Sequence, residues 1–200
     1  MLNFERELWE RGVLRVAGVD EAGRGPLAGP VAAAAVIFPP DVFIPGVKDS
    51  KLLKPDKREA LFRIIREEAL EVSVGIVSEK VIDRINILQA TYEAMRTALG
   101  RLKCRPEHVL VDGRSIPDIP YTQTPIVGGD RKSFSIAAAS IVAKVIRDRI
   151  MVAFDRRYPG YGFLRHKGYG TREHVKAIRD LGYCPIHRRS FRIKGLTIPP

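Results

Sequence analysis

No apolar stretch in this chain approaches the roughly 20 residues that a membrane-spanning helix needs. The longest, Val31–Phe38, has the length of a strand. The opening Met1-Leu2-Asn3-Phe4-Glu5-Arg6-Glu7 has no basic segment leading into an apolar one, so no secretory signal is expected. Cysteine is nearly absent. Cys104 and Cys184 lie far apart and form no CxxC pair, which argues against a disulfide scaffold and against a thiolate zinc site. The four histidines, His108, His166, His174 and His187, have no metal-ligand spacing and are read as structural or phosphate-side residues. No internal repeat, low-complexity tract or linker interrupts the 200 residues. A cytoplasmic protein folding around one core is expected.

Acidic charge is the other relative shortage. Against 34 Lys and Arg stand 23 Asp and Glu, a net charge of +11. Such an excess favours a polyanionic partner, because phosphates bound to Lys and Arg release condensed counterions. The same excess would also suit a basic protein laced with surface ion pairs.

Apolar, β-branched segments predict strands at Val13–Val19, Val31–Phe38, Glu71–Val77, His108–Val111 and Tyr121–Val127. Three of them fall early with at most one helix between, which predicts a mixed sheet. Pro55–Leu70 reads as a helix with proline at its start. Ser78 caps a short helix over Glu79–Ile85. A second runs over Leu88–Leu102, with Leu88, Tyr92, Met95 and Leu99 on one face. Ser133–Phe154 reads as a long helix whose first half is rich in small residues. Thr171 caps a last helix that stops at Gly182, and the basic tail from Pro185 is expected to form a small helical appendage.

Three acidic positions share one context. Asp20-Glu21, Asp112 and Asp130 each follow an apolar run and have glycine before or after them within two residues, and strand C-terminal ends are where α/β proteins gather functional side chains. Adjacent Asp20 and Glu21 would point to opposite faces of a regular strand, so serving one site requires a bend there, which Gly23 and Gly25 permit. Four carboxylates brought together repel one another unless cations intervene, and all-oxygen ligands favour Mg²⁺ or Mn²⁺ over zinc. Taken singly, Asp112-Gly113 is also a common turn pair. Ser50, Lys51, Lys132 and Ser133 are read as phosphate contacts or as a solvated basic loop, and Tyr169 alone, between two glycines, would pass for a core or turn tyrosine.

Val19-Asp20-Glu21-Ala22-Gly23-Arg24-Gly25-Pro26-Leu27-Ala28-Gly29-Pro30 resembles the opening motif of the ribonucleases HII. Asp49-Ser50-Lys51 resembles the family's Asp-Ser-Lys motif, Val111-Asp112-Gly113 its third-acid strand, and Gly129-Asp130-Arg131-Lys132-Ser133 its fourth-acid segment. His166-Lys167-Gly168-Tyr169-Gly170-Thr171 and Pro185-Ile186-His187-Arg188-Arg189 resemble its C-terminal blocks. Leu53 and Arg131 depart mildly from the pattern, and neither departure alters one of the four acids. No counterpart of the extra N-terminal domain of the HIII relatives is expected.

The resemblance implies an α/β RNase H-like fold: a mixed five-stranded sheet flanked by helices, in one catalytic domain over 1–200, with about 160–200 as a small C-terminal helical extension. It implies that Asp20, Glu21, Asp112 and Asp130 hold two Mg²⁺ or Mn²⁺ ions. It implies an endonuclease that cuts the RNA of RNA–DNA hybrids and cuts 5′ to single ribonucleotides in DNA, leaving 3′-hydroxyl and 5′-phosphate ends. Its tasks would be ribonucleotide excision and primer removal. Gly23-Arg24-Gly25 would sense the 2′-OH that separates RNA from DNA, and Tyr169 would pack on the sugar beside the scissile step. Lys51, Lys132, Arg188, Arg189 and Arg192 are expected to meet phosphates. A monomer is expected, with no sliding-clamp peptide in Gly195–Pro200. The competing readings are a DNA-cutting nuclease or recombinase of the same fold and a non-catalytic hybrid-binding module.

Overall fold

The structure, a computed structural model, describes residues 1–192; the expectation about Gly195–Pro200 lies outside the described residues. Five strands, β1 (Val16–Ala22), β2 (Val31–Ile37), β3 (Glu71–Val77), β4 (His108–Asp112) and β5 (Thr122–Ile126), form one sheet in the order β3-β2-β1-β4-β5. β2 runs antiparallel to both of its neighbours, β1 and β3, whereas β4 and β5 run parallel to β1. The helices are α1 (Asn3–Glu10), α2 (Pro55–Glu68), α3 (Glu79–Gly100), α4 (Phe134–Arg157), α5 (Phe163–His166) and α6 (Arg172–Leu181). No helix among the described residues is long and apolar enough to cross a membrane.

The sheet is covered on both faces, and β2 shows why. All seven of its residues are buried. Ala34 and Val36 pack into one core with α2 and α4, while Val31, Ala33, Ala35 and Ile37 pack into another with α3. Alanine is small enough that neither face is crowded, so both helices approach closely. The approach is tightest at Gly18, where a Cβ would stand 2.1 Å from the Ser135 carbonyl carbon of α4, and at Gly75, where it would stand 2.0 Å from the Ala94 carbonyl oxygen of α3.

The first turn of α4 is fixed from two sides. Ser133 caps it, its Oγ accepting from the Ile136 N–H at 3.2 Å. Buried Glu5 of α1 in turn accepts from the Ser133 hydroxyl (2.6 Å) and the Ser135 N–H (2.9 Å). A carboxylate there also faces the positive end of the helix dipole.

Several expectations change. Helix α1 was not anticipated. β1 starts at Val16 because the N–H groups of Leu14 and Arg15 are taken by the Glu107 carboxylate rather than by a strand. The two helices expected on either side of residue 86 are borne out, joined in α3 across a kink: Asn86 sits at φ 66°, and its Oδ1 accepts from Leu88 and Gln89 N–H, starting the second helix. The segment 185–192 is not helical. It is tied instead to the loop after β1, through an Ala28–His187 bridge with Gly29 N–H donating to Ile186 O and Arg188 N–H to Leu27 O.

Candidate active site

Parallel pairing of β1 with β4 runs from Val16–His108 to Val19–Val111. One step further, Asp20 and Asp112 stand side by side at the sheet's open end. β4 pairs in turn with β5 through Asp112–Ile126, and the chain leaving β5 makes a 3-10 turn, Gly129–Arg131, that carries Asp130. Three neighbouring parallel strands thus deliver three acids to one end of the sheet. The turn is held against the second acid, since Gly129 N–H donates to Asp112 Oδ1 at 2.6 Å.

Glu21 arrives differently from the expected bend. β1 continues through Ala22, still paired to β2, with Asp20 opposite Ala34 and Glu21 opposite Ala33. Asp20 therefore lies on the α4 side and Glu21 on the α3 side. Both are open at the same end of the sheet because β4 stops pairing after Val111, leaving that edge of β1 free. The turn away follows at Gly23, whose φ of +102° disfavours any side chain.

The acids sense one another. Burial raises the Asp20 pKa well above the usual carboxylate range, and Glu21, Asp112 and Asp130 raise it further. Burial also raises Glu21, against the opposing pull of Arg24, whose guanidinium lies 3.4 Å from Glu21 Oε1. Asp130 is raised by burial and by Asp49, with Lys51 opposing. Among the described residues no three carboxylate, imidazole or thiolate groups converge on one point. Each acid is turned toward a donor of the protein itself: Asp20 to the Glu21 N–H, Glu21 to Arg24, Asp112 to Gly129 and Asp130 to Lys51. Four mutually repelling, oxygen-only donors beside an ammonium already drawn to them fit a hard divalent cation. A cavity of 410 Å³, lined among others by Glu21, Arg24, Thr91, Tyr92, Asp112 and Arg114, opens beside them.

Around the acids the other expected residues separate. Lys51 Nζ lies 3.4 Å from Asp130 Oδ2, and exposed Lys132 donates from Nζ to Val127 O at 2.7 Å. Both remain at the surface beside the site. Ser133 and Ser50 are buried and cannot meet a phosphate as placed: Ser133 is the α4 cap already described, and Ser50 Oγ accepts from Ser140 at 2.7 Å. Asp49 escaped the sequence reading although its motif was in view. It is buried, accepts from Lys51 N–H at 2.9 Å and ion-pairs with Arg131 at 3.3 Å, so it sets the loop that carries Lys51.

The loop Gly23–Pro30 is gripped from behind. Arg188, 1% exposed, donates to the carbonyls of Gly23, Arg24, Pro26, Gly29 and Pro30 at 2.6–3.1 Å. Arg147, fully buried, donates to the carbonyls of Ala28, Pro30 and Lys167. Burial lowers the pKa of both guanidiniums, which still stay charged because an arginine starts far above neutral pH. The expectation that Arg188 meets a phosphate is thereby overturned: its donors are spent inside the fold. Sequence reading could not find this, since the partners are main-chain carbonyls. Tyr169 is half exposed, and a Cβ on Gly25 would meet its Cε1 at 3.8 Å. The ring also lies within 6 Å of Lys144 Nζ and the Arg147 guanidinium. Loop and ring form one surface.

The family model described as Ribonuclease HII matches residues 17–194. A ribonuclease HII of Acetivibrio thermocellus is 58% identical over 191 residues, covering 96% of this chain and 75% of that one. One of Moorella thermoacetica is 57% identical over 189 residues, covering 94% and 92%. Among solved structures, ribonuclease H2 of Pyrococcus horikoshii superposes with a TM-score of 0.73 at 30% identity, over 89% of this chain and 94% of that one. The ribonuclease HII of Archaeoglobus fulgidus, solved in a PCNA complex, superposes at 0.76 with 27% identity over 92% and 98%. With the matched region spanning all four acids, the Gly23–Gly25 loop and Tyr169, the chain belongs to the ribonuclease HII family of endonucleolytic hydrolases.

Proposed function

We propose that this ribonuclease H hydrolyses the RNA strand of RNA–DNA hybrids and cuts 5′ to single ribonucleotides in duplex DNA, leaving 3′-hydroxyl and 5′-phosphate ends, with Asp20, Glu21, Asp112 and Asp130 holding two Mg²⁺ or Mn²⁺ ions. The observation that carries it is the gathering of these carboxylates at one end of the sheet, beside a surface made by Gly23-Arg24-Gly25 and Tyr169. Bound divalent cations would supply charge neutralisation at the scissile phosphate and an activated water.

The chain's own residues do the rest. The inward grip of Arg188 and Arg147 takes up the carbonyls of Gly23, Arg24, Pro26, Ala28, Gly29 and Pro30, so the N–H groups of Gly23-Arg24-Gly25 and the Gly25 carbonyl are what this stretch offers a 2′-OH. Glycines at 23 and 25 leave the backbone uncovered, which a close approach to a sugar requires. The half-exposed Tyr169 ring packs on the neighbouring sugar, and Lys51 and Lys132 meet backbone phosphates. All-DNA duplex offers the loop no 2′-OH, which disfavours a DNA nuclease. Four carboxylates beside phosphate would weaken a pure binding module.

In this reading, residues 1–200 act as one catalytic domain whose C-terminal part carries the helices α5 and α6, and the protein works as a cytoplasmic monomer in ribonucleotide excision and primer removal. The test is incubation of three duplexes, a uniform hybrid, DNA with one ribonucleotide and all-DNA, with Mg²⁺, Mn²⁺ or chelator, and mapping of product ends. Cutting of the first two alone, only with metal, is expected. Equal cutting of all-DNA duplex, or binding without cutting, would overturn it.

A further inference from the structure

Behind the loop and Tyr169 lies a buried cluster that the mechanism does not use. His166, His174 and His187 are all buried, as is Cys184, and the imidazoles pack around the Phe163 ring with centroid separations of 5.4–6.0 Å. It resembles a metal site only in composition. The ring nitrogens are already engaged with the protein, and the engagements form a directed chain.

His166 Nε2 lies 2.8 Å from Tyr161 O, which only an N–H can satisfy, and its Nδ1 accepts from Gly168 N–H at 3.2 Å. His174 Nδ1 lies 3.0 Å from Tyr169 O, so it carries the proton and its Nε2 is an acceptor. His187 Nε2 lies 3.1 Å from that acceptor and is assigned as its donor, which leaves Nδ1 to accept from Cys184 N–H at 2.9 Å rather than donate to Cys184 O at 3.2 Å. All three rings are neutral with one tautomer each. The low pKa values of His174 and His187, pushed to about 4 chiefly by burial, agree with this.

The two ends of the chain are the two recognition elements. His187 pairs with Ala28 in the loop that Gly23-Arg24-Gly25 opens. His174 holds the Tyr169 carbonyl, and His166 holds the N–H of Gly168, whose own carbonyl accepts from Leu27 of that loop at 2.8 Å.

We propose that His174, linked through His187 to the loop, is a positioning residue that sets the Tyr169 ring against Gly23–Gly25 and so determines selectivity for a lone ribonucleotide. This rests on the reading of loop and ring as the ribonucleotide sensor. A uniform hybrid offers a 2′-OH at every register, so a displaced ring still finds a productive one. A single ribonucleotide offers one register, so displacement is felt in full.

Two experiments test it. ¹⁵N NMR of the imidazoles reads the tautomers directly: a proton on Nδ1 of His174 and on Nε2 of His166 and His187 is expected, and His174 protonated on Nε2 alone would overturn the chain. The second is kcat/KM on the single-ribonucleotide duplex divided by that on the uniform hybrid. His174→Leu lowers this ratio about five-fold, the worth of one neutral hydrogen bond. His174→Asn restores it, because the Asn Nδ2 occupies the Nδ1 position and donates to Tyr169 O. A thermal destabilisation of His174→Leu with the ratio unchanged, or an equal loss on both substrates, would reduce His174 to a structural role. Tyr169→Ala is the control. If the ratio ignores it, the sensor reading beneath fails; if it responds to Tyr169→Ala but not to His174→Leu, the inference alone fails.

Discussion

The ammonium of Lys51 lies 3.4 Å from Asp130 Oδ2, across 79 residues of sequence. Burial draws the Lys51 pKa down, but Asp130, Asp49 and Asp20 together outweigh it and leave it above its ordinary value. Lysine here is a cation belonging to the acid cluster, on a side chain that remains largely exposed.

That placement sets the first prediction. A lysine held at the rim of the acids is placed to meet an incoming phosphate. Lys51→Ala should weaken hybrid binding in chelator and make the slope of log K against log salt shallower by about 0.9, one phosphate contact's share. Fluorescence anisotropy over a salt series measures it, and an unchanged slope would remove Lys51 from the substrate contacts.

The raised carboxylates make opposite predictions for activity and stability. Asp20→Asn deletes a metal-binding anion and should cost roughly 10² to 10³ in rate, as loss of one focused electrostatic contact does. The fold, however, prefers Asp20 protonated, since its pKa is raised by burial and by its acidic neighbours. A neutral amide satisfies that preference at neutral pH, so the same variant should melt at a higher temperature than wild type in chelator. Loss of activity together with a lower melting point would point to a folding defect instead.

Asp20, Asp112 and Asp130 were legible in sequence because each follows an apolar run close to glycine, and the parallel pairing of β1, β4 and β5 brings Asp20, Asp112 and the turn that carries Asp130 to one end of the sheet. Glu21 was legible as a residue but not in its geometry, because the end of β4 pairing depends on the partner strand rather than on β1. Gly18 and Gly75 carry no local signal at all: their reason is a helix backbone close above them that only the tertiary fold supplies. Arg188 read as a surface cation for the same reason. Its partners are five carbonyls, and a carbonyl has no letter in a sequence. Helix α1 was missed because its purpose, Glu5 against the start of α4, lies 128 residues away.

Gly18 yields a direct test of the close packing between α4 and β1. Its neighbours at 2.1–2.5 Å from a built Cβ are backbone atoms of Ser135 and Ile136, which no rotamer change can move. Gly18→Ala should destabilise by about 1–3 kcal/mol, the usual range for overpacking, and should also lower kcat, because Asp20 lies two residues along the same strand. Denaturant unfolding with wild-type stability would show that α4 yields without cost.

Acid should loosen the histidine cluster. The pKa values of His174 and His187 are about 4 in the fold, below the ordinary 6.5. The fold thus binds their neutral forms, and the stability this provides is present above pH 6.5 and is lost as pH falls from there through about 4. The raised carboxylates titrate with the opposite sign, so the informative quantity is a difference. Between pH 7 and pH 5, wild type should lose more melting temperature than His174→Asn does. Parallel losses would mean that His174 is not buried as a neutral base.

Arg188 separates a phosphate contact from an internal clamp. It carries a full charge, so a phosphate role would reveal itself in salt dependence: removal or displacement of the cation would flatten the slope by about 0.9. An internal clamp behaves otherwise. Lysine keeps the charge but is a point donor on a flexible stem, and it cannot span the five carbonyls that the planar guanidinium reaches. Arg188→Lys should therefore leave buried carbonyls unsatisfied, each worth about 1–3 kcal/mol, and lower the melting temperature. It should let the Gly23–Pro30 loop shift, reducing kcat/KM on a single-ribonucleotide duplex. The salt slope of binding should stay at the wild-type value, because no donor of Arg188 reaches solvent. Arg188→Gln is the sharper arm, since it also removes the charge: even there the slope should hold. If it flattens by about one contact while the melting temperature stays, the guanidinium is meeting a phosphate and the clamp is not what holds the loop.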